Sequence, residues 1–356
     1  MVLARARREH KLATWFLPAT EGPNLAERTL FSFPGRFISA RSTFLRCRIA
    51  LLSVAVAAFC AATRPAAAEV KGAFLFRLMR ATGPIATSWA RILYDADHSE
   101  LYVVDSSSGT VSIFNSAGME VFTFGDDPET GTIYDLALLE DSDIVALAYL
   151  NGKFELLRCN FRGELIARIG LEGIPTALAR DFAPTAIAYS HGRVFVADEN
   201  GLKVLVLDAS GKYVSSYDLG ALLKLNDKER AGASMRGFTV DSSGELLFTI
   251  PPLFKAYVLS PGGEVRSFGK RGGRPGQFNI TGGIHRDEHG NFLVTDLLRS
   301  AVMLFDPEFK FLGEFGYRGS DAEGLIGPLY VTSGDGKVFV SQNASRGISV
   351  YRISQP

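Results

Sequence analysis

The 356-residue sequence predicts an all-β fold, a six-bladed β-propeller made of four-stranded antiparallel blades. Three observations lead to this prediction. After residue 69, similar apolar strands recur about every 47 residues, which is the spacing of propeller blades. Each repeat contains short apolar segments separated by polar turns with Gly. The composition, with 36 Gly and 26 Phe, is typical of many turns between apolar strands.

The residues ahead of the repeats predict a leader. Residues 47–68 contain an apolar run that follows several arginines and ends at Ala66-Ala67-Ala68, as in a signal peptide with its cleavage site. The run is short for a membrane-spanning helix, and the alternative is a buried apolar helix. We interpret residues 1–46, which are irregular and rich in arginine, as a long leader or as the result of a start codon assigned too far upstream. We therefore expect cleavage after Ala68, a periplasmic or secreted protein, and no stable membrane span thereafter.

Charge and cysteine content exclude several classes of protein. The chain has 38 basic and 38 acidic residues, and removal of residues 1–68 leaves an excess of acidic ones. A nucleic-acid-binding protein needs a basic face, so we expect no nucleic-acid partner. Three cysteines cannot form a disulfide framework, and we interpret Cys159 as a small buried hydrophobic residue.

The second strand of each repeat is the easiest to recognise. An apolar strand precedes it, two more strands follow it, and most repeats end near a Gly. A solenoid of stacked repeats is the alternative, but no helix recurs within the unit. The six second strands are residues 101–105, 144–149, 194–198, 246–250, 292–296 and 338–341.

The two ends of the repeat region predict a closed ring. The sixth repeat supplies three strands, the last of them at residues 348–353. Residues 73–78 have the pattern of a fourth strand that lacks the other three. We therefore expect this N-terminal strand to complete the last blade, because closure removes open sheet edges. The predicted propeller domain is 69–356, and we expect it to be a monomer.

The fifth repeat resembles the NHL repeat. The resemblance rests on the stretch Phe268-Gly269-Lys270-Arg271-Gly272-Gly273-Arg274-Pro275-Gly276-Gln277-Phe278, followed by Gly283-Ile284 and Asp287. Three strand ends, at 103–105, 196–198 and 294–296, are similar to the Tyr-Val-Ala-Asp strand end of that family. The resemblance extends over most of the chain after residue 70 and implies a propeller of the NHL type.

The predicted topology places the candidate ligand-binding residues on one face. In a four-stranded meander, the turns after the second strands share a face with the connections between blades. The longest connection is an insertion at residues 221–234, whose sequence predicts a helix with an Asn or Asp cap. Function tends to reside on loops carried by a rigid scaffold, so we expect this face to bind the ligand. The candidates are Asp105, Asp198 and Asp296 at the strand ends, and Lys270, Arg271 and Arg274 in a connection.

Each candidate also has a structural interpretation. A repeated Asp closes a tight turn more often than it binds a metal. The basic group is either a solvated Gly-rich loop or a site for an anion or an acidic partner. His285 is a further candidate because it lies on an innermost strand, where it faces the channel, but no second metal ligand is visible beside it. No phosphate-binding loop, serine elbow or paired cysteine motif is present, so the sequence predicts no catalytic residue, cofactor or metal site.

Two functional classes follow from the sequence. The first is an exported, non-enzymatic recognition propeller that binds a protein or another ligand through its loops. The resemblance to the NHL repeat and the lack of a catalytic constellation favour it. The alternative is a metal-dependent propeller enzyme of the lactonase or peptide-amidating lyase type. Only this alternative implies Ca or Zn, held on the axis by residues from several blades.

Overall fold

A computed structural model describes residues 70–80, 83–85, 89–343 and 346–354. The predicted leader, 1–46, and the predicted signal peptide, 47–68, lie outside the described residues. Within the described part of the chain, no helix has both the length and the apolar character needed to cross a membrane.

The strands form six four-stranded antiparallel sheets, which confirms the predicted six-bladed propeller. In blades 1 to 5, the four strands follow each other from the innermost to the outermost in chain order. Three strands precede blade 1, namely β1 (Lys71–Arg77), β2 (Met79–Arg80) and β3 (Gly83–Pro84). Blade 1 consists of β4 (Arg91–Asp95), β5 (Glu100–Asp105), β6 (Thr110–Phe114) and β7 (Glu120–Gly125), and blade 2 of β8 (Thr132–Leu138), β9 (Ile144–Leu150), β10 (Lys153–Cys159) and β11 (Leu165–Ile169). Blade 3 consists of β12 (Ala186–Ser190), β13 (Arg193–Asp198), β14 (Lys203–Asp208) and β15 (Tyr213–Asp218). Blade 4 consists of β16 (Arg236–Val240), β17 (Leu246–Ile250), β18 (Lys255–Leu259) and β19 (Val265–Phe268), and blade 5 of β20 (Thr281–Arg286), β21 (Phe292–Asp296), β22 (Ala301–Phe305) and β23 (Phe311–Phe315).

Blade 6 combines the two ends of the repeat region, as the sequence predicts. It contains β24 (Val331–Gly334), β25 (Lys337–Ser341) and β26 (Ile348–Ser354), and β1 is its outermost strand. The register of β1 against β26 runs from Lys71 opposite Ser354 to Arg77 opposite Ser349. The ring therefore closes through backbone hydrogen bonds between sequence-distant strands, and β26 is not left as an open edge.

The turn between the third and fourth strands of blade 3 is fixed by an Asp side chain and a Gly. Asp208 Oδ1 accepts the backbone N–H groups of Ser210 at 2.9 Å and Lys212 at 3.0 Å. Gly211 has a φ of 91°, and a Cβ there would lie 2.2 Å from the carbonyl oxygen of Gly170, so only glycine fits. The same pair of N–H bonds, from residues two and four positions ahead, recurs at Asn115, Asn160 and Asp306.

Apolar side chains fill the spaces between neighbouring blades. Between blades 4 and 5, the Phe268 ring lies 4.8 Å from that of Phe305 and 4.6 Å from that of Phe309, measured between centroids. Phe278, from the motif that resembles the NHL repeat, is fully buried beside them. Cys159 is buried in the core between blades 1 and 2, as predicted, and burial raises the pKa of its thiol to about 11.

The connection from blade 3 to blade 4 contains the predicted helical insertion. It forms two short helices, α2 (Leu219–Leu222) and α3 (Asp227–Gly232), after α1 (Thr176–Ala179) in the preceding connection. Asn226 caps α3 with a capping box in which the Asn226 side chain accepts from Glu229 N and the Glu229 carboxylate accepts from Asn226 N. The insertion is thereby fixed at its helix start, as the sequence predicts.

The two faces of the propeller differ in their loops and turns. Connections between blades and turns between second and third strands lie on one face, which we call the loop-rich face. The remaining hairpin turns lie on the opposite rim. The innermost strands line a central channel, and each runs from the loop-rich face to the opposite rim.

Candidate functional site

The aspartates at the ends of the second strands, on the loop-rich face, are bonded to backbone N–H groups. Asp105 Oδ1 accepts from Ser107 N at 3.1 Å and from Ser108 N at 3.2 Å, while Asp105 Oδ2 lies 3.2 Å from Arg80 Nη2. Asp198 Oδ1 accepts from Gly201 N at 2.7 Å. Both carboxylates are buried, and these bonds close the turns that follow each strand.

Asp296 joins two separate loops of blade 5. Its Oδ2 accepts from Asn279 N at 2.6 Å, in the connection from blade 4. Its Oδ1 accepts from Leu298 N at 3.1 Å and Arg299 N at 3.0 Å, in the turn after β21. The side chain of Arg299 then donates to the carbonyl oxygen of Gly273 at 2.8 Å. Asp296 therefore organises the loops around it.

The predicted basic group lies in the connection that Asp296 and Arg299 hold. Lys270, Arg271 and Arg274 are all exposed. The Arg271 guanidinium lies 5.3 Å from the centroid of the Phe254 ring. Within the described part of the chain, no acidic oxygen lies within 4.0 Å of the charged nitrogens of these three residues. Their positive charges are thus available to a partner.

Exposed apolar side chains accompany this basic group. Ile280 and Leu298 are 37% and 58% exposed, and their backbone N–H groups both point to Asp296 Oδ1. We call Lys270, Arg271, Arg274, Ile280 and Leu298 the blade-5 patch. Other large apolar side chains exposed on the loop-rich face are Met79, Trp89, Tyr134, Tyr149, Leu171, Leu222 and Tyr317.

Sequence reasoning missed these apolar residues. The sequence did contain a signal for Leu298. It follows Asp296, the last residue of its strand, by two positions, so it lies in the turn, where no core is available to bury it. Asp105 and Asp198 lie on blades 1 and 3, so the structure brings only Asp296 together with the basic group.

The central channel holds a second group of polar residues. It contains a cavity of about 380 Å³, lined by the innermost strands of all six blades. His285 lies in this cavity toward the opposite rim, and its Nε2 is 3.0 Å from Ser333 Oγ. Burial lowers the pKa of His285 to about 4, and the nearby Asp287 opposes this effect only in part. The imidazole is therefore neutral at pH 7, and it lies apart from the blade-5 patch.

A buried ion pair spans the loop-side half of the channel. Arg91 Nη1 lies 3.0 Å from Asp135 Oδ2, and the same oxygen accepts from Ile187 N at 2.8 Å. The Arg91 guanidinium also lies 5.0 Å from the centroid of the Tyr330 ring and 3.8 Å from Glu199 Oε1. Burial opposes the charge of Arg91, but these neighbours outweigh it and raise the pKa of Arg91. The sequence signal for this pair was an Asp within the otherwise apolar strand β8.

Arginines pair with two carboxylates that line the channel. Asp241 Oδ2 is paired with Arg286 Nη1 at 2.5 Å, just as Asp135 is paired with Arg91. A catalytic calcium or zinc site needs three or more converging protein ligands. No group of three or more His, Cys, Asp or Glu side chains in the described residues has that arrangement.

Comparison with solved structures gives several propellers of similar fold. A streptogramin B lyase structure matches with a TM-score of 0.51 and 15% identity, over 81% of this chain and 88% of that chain. A protein of unknown function from Bacteroides thetaiotaomicron gives 0.56 and 13%, over 80% and 77%. A putative gluconolactonase gives 0.51 and 14%, over 82% and 93%.

Comparison by sequence adds no family assignment. No protein-family model matches the chain, and no curated protein matches it. At 13–15% identity the structural likeness shows the fold alone. The chain is a six-bladed β-propeller, and its function has to be inferred from its own residues.

Proposed function

We propose that this protein is an exported, non-enzymatic propeller of the NHL type that binds an acidic partner protein through its loop-rich face. The observation that carries the proposal is the blade-5 patch. It combines three exposed cations that have no acidic neighbour in the described residues with two exposed apolar side chains. Exposed apolar groups surrounded by charge mark protein interaction sites on soluble proteins.

The patch is rigid, which favours binding. Asp296 holds the turn after β21 and the connection from blade 4 in one arrangement. Arg299 adds a second link to Gly273. Because the loops are already ordered, less conformational entropy is lost when a partner binds. The positive charge lies on a domain with an overall acidic excess, so it selects for acidic partners by electrostatic complementarity.

The channel favours a binding protein over the metal-dependent enzyme. Its carboxylates at Asp135 and Asp241 are both held by arginines. An enzyme of the lactonase type would need these or similar oxygens to converge on an ion. We therefore propose no catalytic residue and no resident cofactor. We also propose that the domain acts as a monomer in the periplasm or outside the cell.

The test is a binding measurement with the full chain and defined peptides. The probe is a fluorescein-labelled 12-residue peptide of alternating Glu and Leu, and a Lys-Leu peptide of the same length is the comparison. We expect saturable binding of the Glu-Leu peptide that weakens as salt rises, because screening reduces the attraction. The triple variant Lys270→Glu, Arg271→Glu, Arg274→Glu should reduce the affinity by about tenfold or more.

A matched triple variant controls for net charge. Arg193→Glu, Lys212→Glu and Lys310→Glu change the charge by the same amount on the opposite rim, and all three residues are exposed. This control should retain binding. Equal weakening in both triple variants, or equal affinity for the Lys-Leu peptide, would refute recognition by the blade-5 patch. Turnover of lactones by the wild-type chain at enzymatic rates would refute the non-enzymatic role.

A further inference from the structure

The connections between blades differ in how they pack. Five of the six contain at least one buried side chain. The connection from blade 2 to blade 3, residues 170–185, has no buried residue. The buried side chains of the other five are Ile85 before blade 1, Thr130 before blade 2, Leu219 and Met235 before blade 4, Phe278 before blade 5 and Leu325 before blade 6.

The 170–185 connection is also weakly anchored at its helix. Pro175 is the N-cap of α1 and makes no side-chain hydrogen bond to the helix, and α1 contains no buried residue. By contrast, α3 in the next connection begins with a complete capping box. The apolar side chains Ile174, Leu178 and Phe182 pack against the core between blades 2 and 3 but stay half-buried. They cover that space without filling it.

An apolar cavity of about 260 Å³ lies under this connection. Leu147 and Leu156 of blade 2 form one wall, and Val196 and Leu205 of blade 3 form the other. Ala179 and Phe182 line it from the connection. The cavity is open to solvent at its outer side, where Leu171 and Ala179 are exposed.

One charged residue lines the cavity among the described residues, and its charge is balanced. Glu155 Oε1 lies 2.9 Å from Lys153 Nζ, and Glu155 Oε2 is paired with Arg168. Arg168 is held in turn by a bond from its Nη2 to the carbonyl oxygen of Glu129 at 2.8 Å. Both nearby cations are already paired with Glu155, so a charged ligand would lack a partner on the apolar walls.

We propose that this cavity binds a compact, uncharged apolar molecule with one or two aromatic rings. The molecule lies between blades 2 and 3, against the apolar side chains of both. An apolar protein cavity of about 150 Å³ accommodates benzene, so this larger one accommodates a bicyclic molecule. Hydrogen bonds at Glu172 and Ala183 hold the two ends of the connection to blade 3. The helical part between them provides the way in, because α1 has no buried residue and its opening breaks few buried contacts. The site is separate from the blade-5 patch, so it does not depend on the proposed function.

Calorimetric titration of the full chain with indole tests the proposal. We expect one indole per chain and a rise in the melting temperature that grows with indole concentration. Indole-3-carboxylate has the same ring system with a negative charge, and it should bind about tenfold or more weakly because the apolar walls cannot solvate that charge.

Two variants of the same helix locate the site. Ala179→Phe places a ring into the cavity and should weaken indole binding about tenfold or more. Ala177 is exposed on the same helix and does not line the cavity, so Ala177→Phe should bind indole within about twofold of wild type. Ala179→Phe should itself melt no lower than Ala177→Phe, since it fills the space from the surface.

Three results would overturn the proposal. The first is no saturable binding of indole at millimolar concentration. The second is unchanged binding by Ala179→Phe when its melting curve shows a folded protein. The third is tighter binding of indole-3-carboxylate than of indole. The triple variant of the blade-5 patch should bind indole as the wild type does, which separates this test from that of the proposed function.

Discussion

Arg91 Nη1 lies 3.0 Å from Asp135 Oδ2, so a buried ion pair joins the innermost strands of blades 1 and 2. The same carboxylate oxygen accepts the Ile187 N–H from blade 3 at 2.8 Å. One aspartate thereby links three consecutive blades at the channel. Removing one partner of a buried pair is costly because the other charge remains buried without compensation.

Asp135→Asn should therefore lower the free energy of unfolding by about 3 kcal/mol. The loss is measured by urea denaturation of the full chain at pH 7.5. Asp141→Asn is the control, because Asp141 pairs with Arg158 while its side chain is 57% exposed. That change should cost less than about 1 kcal/mol. Similar losses in the two variants would show that the channel pair is no stronger than a surface pair.

His285 should make the protein less stable as the pH falls from 6.5 to 4. Its pKa in the folded state is about 4, below the ordinary 6.5, because burial disfavours the charged imidazole. Between these two values the unfolded chain binds a proton that the folded chain does not. The resulting loss of stability is about 2–3 kcal/mol by pH 4. His285→Gln removes this term and should flatten the pH dependence.

The free energy of unfolding of the wild type and of His285→Gln is compared at each pH, because Asp135 changes the stability with pH in the direction opposite to His285. Burial raises the pKa of Asp135 to about 6, against the effects of Arg91 and the Ile187 N–H, so its protonation favours the folded state as the pH falls below 6. Subtracting the His285→Gln curve from the wild-type curve cancels that contribution. A His285→Gln curve parallel to the wild-type curve would contradict this account.

The fold was predictable because each repeat contains the complete strand-and-turn pattern of one blade. Four apolar segments and their turns lie within about 47 residues, so local sequence defines a blade. Ring closure was predictable as well, because the sixth repeat lacks one strand and residues 73–78 supply one. The helix in the insertion was visible from Asn226 and Glu229, which form its capping box.

The pairing of residues on different blades was not predictable. Arg91, Asp135 and Ile187 lie in three repeats, and their contact depends on how the blades pack. The cavity under the 170–185 connection was hidden for a related reason. Ile174, Leu178 and Phe182 are apolar, and only the packing of blades 2 and 3 leaves them half-buried.

Asp296 should matter for the order of the loops more than for direct ligand contact. Asp296→Asn replaces one of the two acceptor oxygens by an NH₂ group, which donates. The single oxygen that remains cannot accept from both Asn279 N and the turn after β21. We expect a loss of about 1–3 kcal/mol in stability and a looser connection from blade 4. Trypsin should then cut faster after Lys270 and Arg271, which is measured by mass spectrometry of timed digests.

Asp208→Asn serves as the control for that experiment. Asp208 also closes a turn, but its Oδ1 alone accepts the backbone bonds, and an Asn oxygen reproduces them. It should leave the cleavage rate in the connection from blade 4 unchanged. If Asp296→Asn is cut no faster than Asp208→Asn, the proposed link between Asp296 and the blade-5 patch is wrong.

The closure strand β1 should stabilise the whole ring. Phe74 lies opposite Tyr351 of β26, with ring centroids 5.7 Å apart, and packs on the core between blades 5 and 6. Phe74→Ala should lower the free energy of unfolding by about 2–3 kcal/mol. Phe122→Ala is the matched control, because Phe122 also lies on an outermost strand but is 41% exposed. It should cost less than about 1 kcal/mol.

Deletion of residues 69–80 is the stronger form of the same experiment. It removes every backbone bond of β1 to β26 and exposes β26 as an edge, so we expect a much lower melting temperature and concentration-dependent aggregation. Light scattering and thermal melting of the truncated chain measure both effects. β1 contacts blade 1 as well as blades 5 and 6, because Phe76 packs against Gly118 and against the core that blade 1 shares with blade 6. A single cooperative transition at lower temperature would mean that closure stabilises all six blades together. If the truncated chain melts at the temperature of the intact one, β1 contributes nothing to the ring.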